Sequence, residues 1–373
     1  MTLRPGVAAL GLTALLALGA ACDAGGDDGD ARADVRRAML SDMASRVITP
    51  VHTGFTADAR ALSTAIAALD ADPSATTLAS AQQAWETAAI SWQRLAALNL
   101  PGVKFGLYHN RIATRPANVE AVEEGLSGSE TVDLAYIQRR GSNARGLPVL
   151  EYLLFDGDDP LASLQNARRR AYARAVSEDV LGQAEALETK WSATGGDEIG
   201  MFIAADTEGR NLQSSVSRIV NEMAMVTEDL RYVAIGRPMG IARNPEEPGG
   251  DPRPDLVEAP YALESAALYR ESLAGLRTLF ISGGGTGLDD YLTALEAEID
   301  GQPVGAAVLA QIDETEAAID ALGMPLREAI ESNPEAVRTV YAEAGDLLRI
   351  VKVDLANWLG VSITFSDNDG DSG

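Results

Sequence analysis

Residues 78–95, LASAQQAWETAAISWQRL, carry apolar side chains at alternating intervals of three and four residues. The positions in this series are Leu78, Ala81, Trp85, Ala88, Trp92 and Leu95. Because an α-helix has about 3.6 residues per turn, this spacing places one apolar seam along a helix. Pro73 and Ser74 precede the series and Pro101-Gly102 follow it, so the predicted helix lies between these two breaks.

The same alternation recurs along the rest of the chain. One series consists of Leu212, Val216, Ile219, Met223, Val226, Leu230 and Val233, before Gly236 and Pro238. Another, between Asn333-Pro334 and Gly360, consists of Val337, Tyr341, Ala344, Leu348, Val351, Leu355 and Trp358. Shorter series consist of Val176, Val180, Leu187 and Trp191, and of Tyr269, Leu273, Leu276 and Phe280. The sequence shows no comparable period-two alternation, so it predicts an all-α fold of antiparallel helical bundles.

The length of 373 residues favours two domains. Gly195-Gly196 follow the helix that ends near Trp191, and we place the boundary there. The predicted units are an N-terminal bundle, residues 34–195, and a C-terminal bundle, residues 196–373. The Pro- and Gly-rich stretch from Arg237 to Pro260 is a second candidate boundary, because long connections of this kind often join domains or carry function.

The N-terminus is typical of an export signal. Arg4 precedes an apolar run from Val7 to Ala21, which is too short to cross a membrane comfortably. Small residues then lead to Cys22, the one cysteine of the sequence, as in bacterial lipoprotein signals. We therefore predict a signal peptide at 1–21, a lipidated Cys22 and an acidic flexible tether at 22–33. The predicted location is the bacterial cell envelope, facing the periplasm; the alternative is a soluble secreted periplasmic protein.

Composition excludes several classes of function. The sequence has 30 Lys and Arg residues against 55 Asp and Glu residues, a formal net charge of -25, so nucleic acid is not an expected partner. It has two histidines, His52 and His109, so an H-E-x-x-H zinc site cannot be assembled. His52 follows a helix break and is expected to be structural. His109 lies in an irregular segment between two helices and is a candidate ligand-binding residue.

The segment Arg145–Phe155, RGLPVLEYLLF, resembles the imelysin family of exported bacterial proteins, which also carries the peptidase M75 label. Further matches in order and spacing are Val47–Pro50, the helix of Trp85 and Trp92, Phe105-Gly106, Arg115-Pro116 and Leu359–Asp371. The resemblance implies two helical bundles, a link to iron acquisition, and a G-x-H-x-x-E metal motif near the junction of the bundles. Gly146 and Glu151 match this motif, but Pro148 replaces its histidine, so the chain represents a variant subgroup.

Pro148 bears on the chemistry because proline has no metal-binding atom. It suits the first position of a helix, which would place Glu151 in the first turn. We expect no catalytic residue. The candidate ligand-binding residues are Glu151, His109, Arg111, Gly146 and Tyr152, with Glu151 and His109 as the candidate ligands of iron or another divalent metal. Alternatively, Glu151 caps its helix or pairs with Arg145 or Arg111.

Three functions agree with these residues. The first is a non-enzymatic, lipid-anchored envelope protein that binds metal, or an iron-containing partner, in the cleft between its bundles. The second is a metallopeptidase, although the replacement of the motif histidine argues against an enzyme. The third is an envelope scaffold whose stretch from Arg237 to Pro260 contacts a protein partner. In the first reading the membrane is a partner through the N-terminal lipid.

Overall fold

The structure is a computed structural model that describes residues 26–98, 100, 107–243 and 248–364. The predicted signal peptide, the lipidation site Cys22 and residues 101–106, 244–247 and 365–373 lie outside the described residues. Within the described part, no helix is both long enough and apolar enough to span a membrane.

The described residues are almost entirely helical, which confirms the all-α prediction. The α-helices are α1 (Gly26–Asp42), α2 (Thr49–Ala71), α3 (Ala75–Ala96), α4 (Tyr108–Ile112), α5 (Val119–Ser127), α6 (Leu134–Gln138), α7 (Leu147–Phe155), α8 (Pro160–Ser163), α9 (Ala167–Trp191), α10 (Glu198–Ala204), α11 (Ser215–Glu228), α12 (Ser265–Phe280), α13 (Leu288–Ala294), α14 (Val304–Asp320), α15 (Leu326–Ser332), α16 (Pro334–Arg349) and α17 (Ala356–Leu359). A two-stranded antiparallel hairpin, β1 (Glu298–Ile299) and β2 (Gln302–Pro303), precedes α14. Short 3₁₀ turns lie at Ser142–Ala144, Pro254–Leu256 and Ser282–Gly284.

The helix α3 forms where the seam predicts it. Its N-terminus is a capping box in which the Ser74 hydroxyl accepts from the Thr77 amide and the Thr77 hydroxyl accepts from the Ser74 amide. All six apolar residues of the seam are buried. They face α2, α7 and α12, so α3 lies at the centre of the molecule.

Leu212 and Trp358 depart from the predicted seams, because they are 52% and 44% exposed. Ser214 caps α11 by accepting from the Ser217 amide, so the helix begins after Leu212. Trp358 follows a π-helical turn at Ile350–Leu355, and the wider turn shifts later side chains off the earlier face. Both residues were wrongly predicted to lie in the core.

Two groups of helices pack around one continuous apolar core that extends from Met39 to Val361. In the N-terminal half, α2 packs on both α3 and α9. In the C-terminal half, α14 packs on α12, α13 and α16. The halves meet mainly where α3 contacts α12. The division into two domains at residue 195 stays a prediction.

The first helix crosses this boundary. A π-helical turn at Met43–Ile48 joins α1 to α2 without a loop, and α1 packs on α10 and α13 of the C-terminal half. The Arg36 side chain donates to Asp206 at 2.5 Å and to the Tyr291 hydroxyl at 3.4 Å. Residues 26–33 belong to α1, whereas the sequence predicts a flexible tether over 22–33; the role of this segment as a tether stays a prediction.

Candidate functional site

The motif helix α7 begins at a glycine that no other residue could easily replace. Gly146 has φ 84° and ψ -173°, and a Cβ there would lie 2.4 Å from the Ile112 carbonyl oxygen. Helix α7 starts at Leu147, one residue before the predicted start, and Pro148 is its second residue. Glu151 consequently lies just beyond the first turn. The prediction that it lies in the first turn is wrong. Gly146 thus fixes the direction of the helix that carries Glu151.

Glu151 joins the two halves through backbone hydrogen bonds. Its side chain is 2% exposed, and Oε1 accepts from the amides of Tyr261 at 2.6 Å and Ala262 at 2.9 Å. Neither arginine considered as its partner pairs with it. Arg145 instead forms a 2.5 Å ion pair with Asp179, and Arg111 donates to Gln183 at 3.2 Å. The carboxyl group therefore holds the end of the Pro-rich connection against α7.

Burial raises the pKa of Glu151 to about 7, and the nearby Glu258 carboxylate acts in the same direction. The amides of Ala262 and Tyr261 oppose this shift because they stabilise the charged form. Between pH 4.5 and 7 the unfolded chain releases this proton while the folded chain keeps it. The contribution of Glu151 to stability is therefore complete below its unfolded pKa and is lost as the pH rises through about 7.

We expect Glu151→Gln to become steadily more stable than the parent protein as the pH rises from 5 to 8. Glutamine retains the acceptor oxygen and cannot ionise, so the relative gain should reach roughly 2–3 kcal/mol. Denaturant unfolding, followed by helical circular dichroism at each pH, measures this difference. Glu335→Gln is the matched control, since the Glu335 side chain is 85% exposed. A gain that does not change with pH would contradict the assigned shift.

Two adjoining cavities lie between the halves. Glu151 lines the smaller one, of about 60 Å³, together with Pro148, Trp85 and Tyr261. His109 lines the larger one, of about 220 Å³, and its ring lies 5.8 Å from the ring of Trp92. Burial lowers the pKa of His109, and the Arg115 charge lowers it further, so the imidazole is neutral.

The described residues do not provide a metal site made by the protein alone. Glu151 and His109 line different cavities, and the described part of the chain holds no group of three or more His, Cys, Asp or Glu suited to a metal. The available side chains therefore do not fit an iron ion held by protein ligands only.

Tyr152 serves the packing of α7. Its hydroxyl donates to Glu123 at 2.6 Å, and the Arg169 guanidinium lies 4.9 Å from the centre of its ring. Burial, followed by the hydrogen bond to Glu123, raises the pKa of Tyr152 to about 12. Tyr152 lines neither of the two cavities, and Arg111 also lines neither. Both remain untested as ligand-binding residues.

Five residues of the larger cavity, to which the sequence analysis gave no role, form one polar network; Arg115, Gln93 and Glu258 also line the smaller cavity, whereas Asp229 and Ser272 do not. Arg115 pairs with Glu258 at 2.7 Å and with Asp229 at 3.2 Å. Gln93 donates to Glu258 at 2.7 Å and accepts from Ser272 at 2.8 Å. Arg115 and Gln93 come from the N-terminal half, and the other three from the C-terminal half. Arg115-Pro116 was noted in the family resemblance, and Glu258 lies in the stretch from Arg237 to Pro260, but no local pattern linked them.

Comparisons with known proteins agree with this architecture. An imelysin-like protein from Psychrobacter arcticum 273-4 has a solved structure with TM-score 0.72 and 17% identity, covering 89% of this chain and 98% of that one. A second solved structure, of a protein from Parabacteroides distasonis ATCC 8503 described as a candidate iron-regulated protein A precursor, has TM-score 0.70 and 19% identity. The match covers 87% of this chain and 95% of that one. No curated protein matches the chain. The family model for imelysin, or peptidase M75, matches residues 48–350, and the chain therefore belongs to the imelysin family.

Proposed function

We propose that this protein is a non-enzymatic, lipid-anchored envelope protein, linked to iron acquisition, that binds a small ligand in the larger cavity between its halves. The observation that carries the proposal is the wall of the cavity. Arg115, Gln93 and Glu258 present charged and amide groups from both halves to a space of about 220 Å³. Apolar side chains of Trp92 and Val233 complete the lining, as in many small-molecule sites.

The arrangement of titratable groups favours binding over hydrolysis. A metallopeptidase needs a metal-bound water and a nearby general base. The raised-pKa acid Glu151 and the neutral base His109 line different cavities. In the larger cavity Arg115 already pairs with Glu258 and Asp229, so these carboxylates are less available to activate water.

The link to iron rests on family membership and on the printed description of the Parabacteroides distasonis relative. Since the described residues hold no cluster of three metal-binding side chains, iron would have to arrive with ligands of its own. We therefore propose that iron reaches the protein as a soluble iron chelate or within an iron-containing partner. Lipid at Cys22 would keep the protein at the membrane.

The test is to purify the mature protein from its native envelope and to identify co-purifying species by elemental analysis and native mass spectrometry. Val233→Trp should fill the larger cavity and remove the bound species. Val353→Trp is the control, because Val353 is 48% exposed and also lies in a π-helical turn. A parent protein that carries nothing, or a Val233→Trp variant that still carries the ligand, would contradict cavity binding. Chelator-sensitive cleavage of an unfolded protein would favour the metallopeptidase alternative.

A further inference from the structure

Arg231 occupies an unusual position for an arginine. It lies in the π-helical turn Asp229–Gly236 and is half-buried. Its guanidinium carbon lies 4.7 Å from the ring centre of Tyr341 and 5.1 Å from that of Tyr232. A Cβ at residue 345 would lie 2.7 Å from the same carbon, so a larger residue than the glycine found there would displace the guanidinium. The guanidinium therefore lies between two aromatic rings and the backbone of Gly345.

Among the described residues, Arg231 has no anionic partner. Within residues 26–98, 100, 107–243 and 248–364, no carboxylate lies within ion-pair distance of Arg231, and its buried Nε has no acceptor. A guanidinium carries five N–H donors, and a partly desolvated charge without acceptors is costly. The two tyrosines compensate part of that cost but accept no hydrogen bond from it.

A second guanidinium shares the ring of Tyr232 with Arg231. The guanidinium carbon of Arg243 lies 5.3 Å from the ring centre of Tyr232. Arg243 pairs with Glu228, whose other oxygen lies 3.0 Å from the Lys352 ammonium. The Glu228 carboxylate is thus shared by two cations. Arg231 and Lys352 also lie in π-helical turns, which occur frequently at functional sites.

We propose that Arg231 binds an anionic group, a carboxylate or a phosphate, of a small molecule beside the larger cavity, which its neighbour Tyr232 lines but Arg231 does not. Tyr232, Arg243 and Glu228 line that cavity; Arg243 is exposed and Arg231 is half-buried. The planar guanidinium presents paired donors that match carboxylate and phosphate oxygens. The site does not depend on the function proposed above, because an anion can bind at Arg231 whatever occupies the cavity.

Isothermal titration calorimetry of the mature protein with citrate and with inorganic phosphate tests the proposal. We expect saturable 1:1 binding of at least one of the two anions, and the stronger of them identifies the preferred group. Arg231→Gln should weaken that binding tenfold or more. Arg231→Lys keeps the charge but loses the planar guanidinium, so it should weaken anion binding several-fold. This second variant replaces Arg231→Gln in the test if Arg231→Gln fails to fold.

Arg218→Gln is the matched control. Arg218 is a half-buried arginine of α11 that donates to Gln213 at 3.2 Å, so its replacement removes one positive charge away from the two tyrosines. Affinity equal to the parent is expected for this variant. The proposal is overturned if neither anion binds saturably, or if Arg231→Gln and Arg218→Gln bind equally well.

Discussion

Arg145→Ala is expected to lower the free energy of unfolding by about 3–5 kcal/mol. Arg145 pairs with Asp179 at 2.5 Å, and the side chains are 7% and 0% exposed. Removal of the arginine leaves Asp179 either charged without a partner or forced to take up a proton, and both states are costly in a buried position. The loss should therefore grow as the pH rises. Denaturant unfolding followed by helical circular dichroism measures it.

Arg60→Ala provides the comparison. Arg60 forms an ion pair of similar length, 2.7 Å, with Glu185, but the Arg60 and Glu185 side chains are 56% and 51% exposed. Solvent screens this pair, so its loss should cost less than about 1 kcal/mol. The double variant Arg145→Met with Asp179→Leu should recover much of the loss, because no buried charge remains. Equal costs for Arg145→Ala and Arg60→Ala would show that the buried pair does not contribute as described.

Gly146→Ala should destabilise the fold by about 3 kcal/mol or more, from backbone strain and overpacking together. The new Cβ would lie 2.4 Å from the Ile112 carbonyl oxygen and 3.0 Å from that of Arg111. Since α7 must move to relieve this contact, Glu151 should also lose its hydrogen bonds to the Pro-rich connection. The measurements are the unfolding free energy and amide exchange at Tyr261 and Ala262.

Gly157→Ala separates the two causes. Gly157 has φ 81°, close to that of Gly146, but a Cβ there would meet no atom within 4 Å. Only the unfavourable backbone conformation remains, which costs about 1–2 kcal/mol. If Gly146→Ala lowered the free energy of unfolding no more than Gly157→Ala does, the close approach to Ile112 would not contribute to the loss.

Most of the fold could be predicted because each long helix carries its own apolar seam. The seam from Leu78 to Leu95 and the capping residue Ser74 gave α3 its position and its start. The π-helical turns could not be predicted, since Val351 and Leu355 keep the ordinary spacing across one of them. The packing of α1 on the C-terminal half was missed because its sequence, GDDGDARADVRRAMLSD, is mostly charged and its partners lie far along the chain.

The candidate site was harder to predict, since its residues meet only in three dimensions. Gly146 and Glu151 were found through the family motif, and both prove to hold structural positions at the junction. The partners of Glu151 are backbone amides, which leave no signature in a sequence. Arg115 and Glu258 are 143 positions apart, and nothing local to either residue marks the ion pair. The spacing of apolar residues therefore does not predict ion pairs between segments that are far apart in the sequence.

The crossing of α1 onto the C-terminal half sets an order of assembly. Arg36 finds its partners 170 and 255 positions later, at Asp206 and Tyr291. Helix α1 can therefore complete its docking only when residues 206 and 291 are also available. Closing so long a loop is entropically costly and slows folding. Met39 and Leu40 of this helix are fully buried in the complete fold, and a chain truncated before residue 291 would lack part of the surface on which α1 packs, which favours aggregation.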